Sequence, residues 1–408
     1  MLSYNNLKSK RKDYLWVFLL LFISGNPLIS EYSFLEYRNV VLATILIIYS
    51  AYKKRKIINN DSKVMYMVIS IIFLFQIVSL HYFSYPAAIN FLATATCGIL
   101  IVRIVDSGFK NAYLHVMYLL CAISLVGQLL YMIGLYPGIS INNGNFTSLI
   151  VHNVKIRGFL LTGESSFRNS GMFWEPGAFH GYIMLTFLMY LDNIKELWEV
   201  HKKKCVVIIL AIISTFSTTA YIALGFLVLY IVLSFYKNIL LKLLLGISVV
   251  IGSLYMYNHS EFLGEKIDNE MEVIEDGYIS VGRLGSAAID FHYIKKHPIL
   301  GNSLHNQTRY SDHLWFDRIR SFSNGFTDII AKMGILFILM YLSIIYKNWH
   351  TKKLDKFFVL LMIIISLQGE CFFNYPLYFA LPFITVNDKL TINIKSDDKS
   401  RYYNDCLQ

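Results

Sequence analysis

Arg168 and Glu175 stand seven residues apart in the run RNSGMFWEPG, residues 168–177, directly ahead of a long apolar stretch. A guanidinium and a carboxylate are thereby set at the mouth of a helix whose first turn has N–H groups without intrahelical partners. Such a mouth can bind an anion and hold an acid or base beside it. The same residues can equally form an interfacial ion pair, with Phe173 and Trp174 as aromatic-belt residues. The sequence leaves both readings open at this point.

A second group of polar residues lies further along the chain. Arg283 follows Gly282, His297 follows Lys295 and Lys296, and Arg318 and Arg320 precede Ser323, Asn324 and Gly325. Each cation has nearby acids such as Glu265, Asp268 and Glu275 to pair with, so a lone arginine here is as readily structural as substrate-binding. His297, His305 and His313 titrate near neutrality and qualify as general bases by residue type alone. Between Lys204 and Lys237 lies an apolar stretch broken by Ser214, Thr215, Phe216, Ser217, Thr218 and Thr219, an uncharged hydroxyl cluster. Asp328 and Lys332 are four residues apart on one predicted helix, a spacing that pairs them on one face. Glu370 stands alone between two apolar runs, and its role is open.

Some chemistries are missing. The chain has no Walker-type glycine-rich loop, which argues against ATP-driven pumping. It has no His-Glu-x-x-His helix and no paired aspartates of the kind that hold a divalent ion for sugar-nucleotide chemistry. The five cysteines, Cys97, Cys121, Cys205, Cys371 and Cys406, lack metal-ligand spacing. No metal and no other cofactor is therefore expected.

What positions these residues follows from composition. Hydrophobic side chains make up 55% of the 408 residues and charged ones only 16%, against about 25% charged in a soluble chain. With a mean hydropathy of +0.49, the chain reads as an integral membrane protein. Apolar runs near the length of a bilayer crossing occur at 14–29, 40–52, 64–80, 87–105, 112–135, 177–191, 239–257 and 325–346. The first resembles a signal peptide without a cleavage site and is expected to be retained. The stretches 205–236 and 357–386 are each read as two short crossings. In the first, basic residues at both ends require an even number of passages.

The expected fold is thus all-α, a single polytopic domain over residues 1–386 with about twelve transmembrane helices. Two large extracytoplasmic loops, at about 136–176 and 258–324, and a cytoplasmic tail at 387–408 complete it. The stretch 282–294 in the second loop predicts an amphipathic helix lying on the membrane. Both termini are expected in the cytoplasm. On this assignment inner segments carry 25 Lys/Arg and 11 Asp/Glu, and outer segments 11 and 14. The net charge of +10 is therefore topological and does not mark a nucleic-acid partner.

Three stretches together resemble the O-antigen polymerase and O-antigen ligase superfamily, bacterial multi-span enzymes of the inner membrane. They are RNSGMFWEPG at 168–177, STTAY at 217–221, and GRLGSAAIDFHYIKKHPILGNS at 282–303 followed by SNGFTDIIAKMGILF at 323–337. The resemblance implies glycosyl transfer between undecaprenyl pyrophosphate-linked oligosaccharides at the outer membrane face. It implies that Arg168 and Arg283 hold the pyrophosphate, with Glu175 as a base. Ser217, Thr218 and Thr219 would take the lipid-proximal part of the donor, and His297, Arg318, Arg320 and Asn324 the saccharide. Ligases of this superfamily usually show His-Asn where this chain has Ser323 and Asn324, which favours a Wzy-type polymerase. The alternatives are the ligase and a lipid-linked oligosaccharide flippase or transporter. Membrane lipids, a chain-length regulator and a separate flippase are the expected partners.

The topology carries a direct expectation. Single cysteines placed at 168 and 283 should react with a membrane-impermeant maleimide added outside intact spheroplasts, and labelling only after permeabilisation would reverse the assignment.

Overall fold

The computed structural model describes residues 5–31, 37–53, 59–80, 83–141, 146–155, 167–235, 244, 283–305, 324–349 and 352–384. The expected span 239–257, most of the second loop and the tail 387–408 lie outside the described residues.

The described chain is mostly helical and fits an all-α membrane protein. Helices α1 (Asn5–Ile23), α2 (Pro27–Glu31), α3 (Arg38–Tyr52), α4 (Asn60–Ser79), α5 (Tyr85–Val105) and α6 (Phe109–Met132) come first. They are followed by α7 (Pro176–Met189), α8 (Ile194–Ser214), α9 (Thr218–Phe235), α10 (Arg283–Lys296), α11 (Gly325–Asn348), α12 (Lys353–Gly369) and α13 (Pro376–Ala380). By length and apolarity α4, the α5–α6 run and α11 suffice to cross a membrane, and α3 and α9 are shorter apolar helices. Asp106, with φ 57° and ψ −132°, interrupts the run between α5 and α6. Both of those helices pack on α1.

One element of the described chain is not helical. The segment between α6 and α7 holds a small antiparallel meander, β1 (Ile139–Ile141), β2 (Phe146–Ser148) and β3 (Asn153–Lys155), with Ile139 opposite Ser148 and Phe146 opposite Lys155. Asn153 ties this sheet to the site segment: its N–H donates to Gly171 O, its Nδ2 to Met172 O, and its own carbonyl accepts from Ser170 Oγ. His152 is fully buried against α6, where a side chain at Gly127 would meet its ring at 2.7 Å.

Helix α7 is the centre of the bundle. All of Pro176–Met189 is buried, as expected for a helix that is apolar on every side, and α6, α8, α9 and α12 pack around it. At about 1.5 Å per residue its 14 residues fall short of a full crossing. Burial in protein removes the need for lipid-facing length.

The stretch 205–236 divides as expected into two helices, α8 and α9, joined at Thr215–Ser217, where Phe216 takes φ +44°. The stretch 357–386 divides differently. After α12 the chain breaks at Glu370 and returns as short 3-10 turns flanking α13. This return runs along α11 from end to end. Gly325 abuts the Glu370 carbonyl, Tyr341 Oη donates to Tyr378 O, and Trp349 Nε1 and Asn348 Nδ2 donate to Leu381 O and Pro382 O. Non-helical backbone at such depth is tolerated when protein covers it, and residues 376–384 are all buried.

Helix α11 is itself interrupted at Gly334, with φ 75° and ψ 170°. The turn after α10 supplies what the break removes: Ile335 and Leu336 N–H donate to Pro298 O and Ile299 O. The carbonyls those N–H groups leave are filled in turn, Ala331 O by Asn302 and Lys332 O by Gln76 Nε2. The four backbone groups that the break uncouples thus each find a partner. Helix α10 forms as expected, but its buried residues, Ser286, Ile289, Asp290 and Tyr293, go with its packing on α11.

Contacts at the bundle ends segregate. At one end Lys347 pairs with Asp61 at 2.7 Å and Tyr230 Oη donates to Asp355. The other end gathers Trp174, Glu175, Arg283 and Glu370.

Gly334 gives a test of the docked turn. A Cβ there would lie 2.0 Å from Ile299 O in a backbone region open essentially to glycine. Gly334→Ala should destabilise the detergent-solubilised protein by about 3 kcal/mol or more, by strain plus loss of the docked turn, read as a lowered thermal midpoint. An unchanged midpoint would contradict the docking.

Candidate active site at the mouth of the central helix

The mouth of α7 is built from four separate parts of the chain. Residue 175 caps the helix in extended conformation, but its side chain makes no capping bond. It pairs instead with Lys155 of β3, Nζ to Oε1 at 2.5 Å. The meander thus has a positional role: it delivers a lysine to the helix mouth.

From the other side the break after α12 inserts Glu370. Trp174 Nε1 donates to its Oε2 at 3.2 Å, and Arg283 Nη2 stands 3.9 Å from its Oε1. Gly177 lets the carboxylate come close, since a Cβ at that position would meet Oε1 at 2.7 Å. Trp174 stacks on Tyr375 at 4.4 Å between centroids and fills the space over Gly25, whose φ of +128° accompanies the close approach.

Both arginines attach to the α8–α9 turn. Arg168 Nε donates to Thr215 O at 3.4 Å, and Arg283 Nη1 donates to Thr219 Oγ1 at 3.2 Å. Asn169 fixes the approach of Arg168 by donating to Ser124 and Ser214 hydroxyls and accepting from Gly171 N–H. Arg168 and Arg283 both act electrostatically on Glu175. The structure therefore brings together Arg168, Glu175, Arg283 and Thr219. Ser217 is buried and Thr218 half-buried on the same turn.

The two carboxylates are driven apart in proton affinity. Burial acts to raise Glu175, but Lys155, Arg168 and Arg283 outweigh it and hold the carboxyl below its ordinary range. Burial, followed by the neighbouring charge of Glu175, raises Glu370 above the ordinary range, and Arg283, Trp174 and Lys155 offset only part of that. Two carboxyl groups sharing one site with unequal countercharge divide in this way.

Other expected site residues lie elsewhere. His297 follows the far end of α10, about 20 Å along the helix from Arg283 by its rise. There its ring meets Phe75 edge-on at 6.0 Å between centroids, and its carbonyl accepts from Gly301. A 14-residue helix separates it from Arg283. Asn324 caps α11, its side chain accepting from Thr327 N–H, while Thr327 Oγ1 donates to buried Asp290. Arg318 and Arg320 lie outside the described residues.

Two participants carried no assigned role in the sequence reading. Lys155 gave no signal, because its partner is fixed by a meander of three-residue strands. Glu370 did give one, as an ionisable residue isolated between apolar runs, which usually faces a partner or cavity. On the far side of the same break lies a cavity of about 340 Å³ lined by Arg38, Asn90, Thr94, Asp328, Lys332 and Tyr375. There Lys332 pairs with Asp328 at 2.6 Å, as their spacing predicts.

Comparison with known proteins adds one family. Residues 205–342, about a third of the chain, match the Wzy_C family model, described as O-antigen ligase. That range holds Thr219, Arg283 and Asn324, whereas Arg168, Glu175 and Glu370 fall outside it. The match supports the polymerase and ligase superfamily, whose members transfer glycosyl groups, and does not divide polymerase from ligase. No curated protein matches the chain.

Trp174 offers a spectroscopic check on the split carboxylates. The fluorescence difference between wild type and Trp174→Phe should titrate with Glu370, with a midpoint above the ordinary glutamate value of about 4.3. A midpoint at or below that value would contradict the assignment.

Proposed function

We propose that the chain is a polysaccharide repeat-unit polymerase. It joins oligosaccharides carried on undecaprenyl pyrophosphate at the outer face of the bacterial inner membrane, with both of its termini in the cytoplasm. The observation that carries this reading is the attachment of Arg168 and Arg283 to one turn beside the carboxylates at the mouth of α7. An attacking hydroxyl displaces the lipid pyrophosphate from the anomeric carbon, and negative charge grows on the departing phosphate oxygen. Two guanidiniums anchored on the Thr215 carbonyl and the Thr219 hydroxyl are placed to receive that charge, and bidentate donation suits a diphosphate. Fixed positive donors in a water-poor site stabilise such a transition state without a metal.

The turn with Ser217, Thr218 and Thr219 takes the lipid-proximal part of the donor. The outer loops, with Arg318 and Arg320, take the saccharide. Asn324 serves by capping the helix that supports Glu370, and His297 has no part in the site. Surrounding lipids, a flippase that supplies repeat units and a chain-length regulator are the partners this reading requires.

The matched family is described by the ligase activity, so transfer of finished polymer to a lipid acceptor is the second reading. Both use the same donor chemistry and differ in acceptor. The polymerase reading rests on Ser323 standing before Asn324 where ligases usually carry histidine.

In a deletion strain complemented with Arg168→Ala or Arg283→Ala, long chains should give way to single repeat units on the surface, because ligation continues. Loss of one such donor should slow transfer about 10²–10³-fold. Long polymer accumulating on the lipid carrier in the deletion strain would instead identify the ligase, and normal chains in either variant would overturn the arginine assignment.

A further inference from the structure

We propose that Glu370 is the catalytic base of this site, taking the proton from the attacking acceptor hydroxyl, and that Glu175 is a fixed countercharge. The proposal rests on the glycosyl-transfer reading above and assigns the step that reading leaves without a residue. In that step the acceptor oxygen forms its bond to the anomeric carbon while the anomeric carbon–phosphate oxygen bond breaks. The lipid pyrophosphate leaves with the bonding pair and needs no proton. The hydroxyl proton passes to a Glu370 oxygen and from there to water.

The geometry separates the two carboxylates by task. Glu175 is bound at 2.5 Å by Lys155, and its side chain is one-third exposed. Its charge is already matched and solvated, and its proton affinity is lowered. The Glu370 side chain is 13% exposed, and its oxygens are held unequally. Oε2 takes the Trp174 indole N–H, whereas Oε1 faces Arg283 at the loose distance of 3.9 Å. It is Oε1 that lies beside Gly177, the one position in the first turn of α7 where the missing side chain leaves room against the carboxylate.

The backbone around Glu370 is fixed on both sides. Its carbonyl accepts from Phe372 N–H, Gly325 of α11 abuts the same carbonyl, and Gly369 stands over Thr219. The backbone therefore holds Glu370 at this point of the fold, and the Trp174 indole N–H holds its carboxylate. Thr219 touches both the Arg283 guanidinium and the Gly369 end of α12, so the donor-holding arginine and the base share one support.

The groups acting on Glu370 come from every neighbouring element. They are Trp174 and Glu175 at the mouth of α7, Lys155 from β3 and Arg283 from α10. Tyr182, Tyr375, Tyr378 and Cys371 also feel its charge. Burial and Glu175 prevail, so Glu370 binds a proton more readily than an ordinary carboxyl. A base of that strength suits work near neutral pH.

The test uses the full chain in proteoliposomes supplied with lipid-linked repeat unit extracted from the deletion strain, with elongation followed by gel and mass spectrometry from pH 5.5 to 9. Wild-type kcat should rise with pH, about tenfold per unit on the acid side, and level off once Glu370 is ionised. Glu370→Gln should lose about 10²–10⁴ in kcat together with the acid limb, while retaining donor lipid. Glu370→Asp should keep part of the rate with the acid limb displaced, and Glu175→Gln, though slower, should keep an acid limb. Glu370→Gln activity within a few-fold of wild type, or an acid limb that vanishes in Glu175→Gln but stays put in Glu370→Asp, would overturn the proposal. Should Glu370→Gln not fold, the Glu370→Asp and Glu175→Gln pair decides by the same criterion. Wild-type protein that relocates lipid-linked units without elongating them would fail earlier, at the transfer reading itself.

Discussion

Two carboxylates and two arginines share the mouth of a helix buried along its whole length, and the unequal matching of those charges is the constraint on which the rest depends. A buried carboxylate without adequate countercharge is costly. Here the meander gives its lysine to Glu175, α10 gives its arginine to Glu370 at a looser distance, and Arg168, held to the α8–α9 turn by the Thr215 carbonyl, adds charge from the segment ahead of α7. Three otherwise separate segments are thereby tied to one point. Remove any of them and a charge is left under protein with too little opposite it.

Holding these groups in place takes irregular backbone, and the bundle accommodates it by covering it. The return after Glu370 runs the length of α11 as short turns, and α11 opens at Gly334 to receive the turn after α10. In hydrocarbon each such break would expose unsatisfied N–H and C=O groups. In the protein, Asn302, Gln76, Tyr341, Asn348 and Trp349 bond the backbone groups concerned. The glycines at 177, 325 and 334 fall where another backbone or a carboxylate presses close.

Much of the helical frame was legible in the sequence because a bilayer imposes length and apolarity on any crossing helix, and these are local properties. The runs at 64–80, 87–105 and 325–346 became α4, α5 and α11, and the hydroxyl cluster at 214–219 became the end of one helix, a turn at 215–217 and the start of the next. The meander was not legible, since strands of three residues have no period to detect. Nor was the division of labour between Glu175 and Glu370. It depends on Lys155 and Arg283, which are set by tertiary contacts over 20 and 87 residues of sequence and not by spacing. His297 and Arg283 stand in one stretch of the sequence, yet the helix formed between them carries them to its opposite ends. The attachment of Arg168 and Arg283 to Thr215 and Thr219 at the α8–α9 junction is likewise a tertiary contact that spacing does not predict.

The central claim is that Arg168 and Arg283 grip one diphosphate at the mouth of α7. An electron cryomicroscopy map of the protein with undecaprenyl pyrophosphate tests it most directly. The account predicts both guanidiniums within hydrogen-bond distance of the same diphosphate, with the lipid leaving past the Ser217–Thr219 turn. A diphosphate bound at the opposite end of the bundle, or contacting neither arginine, would contradict it.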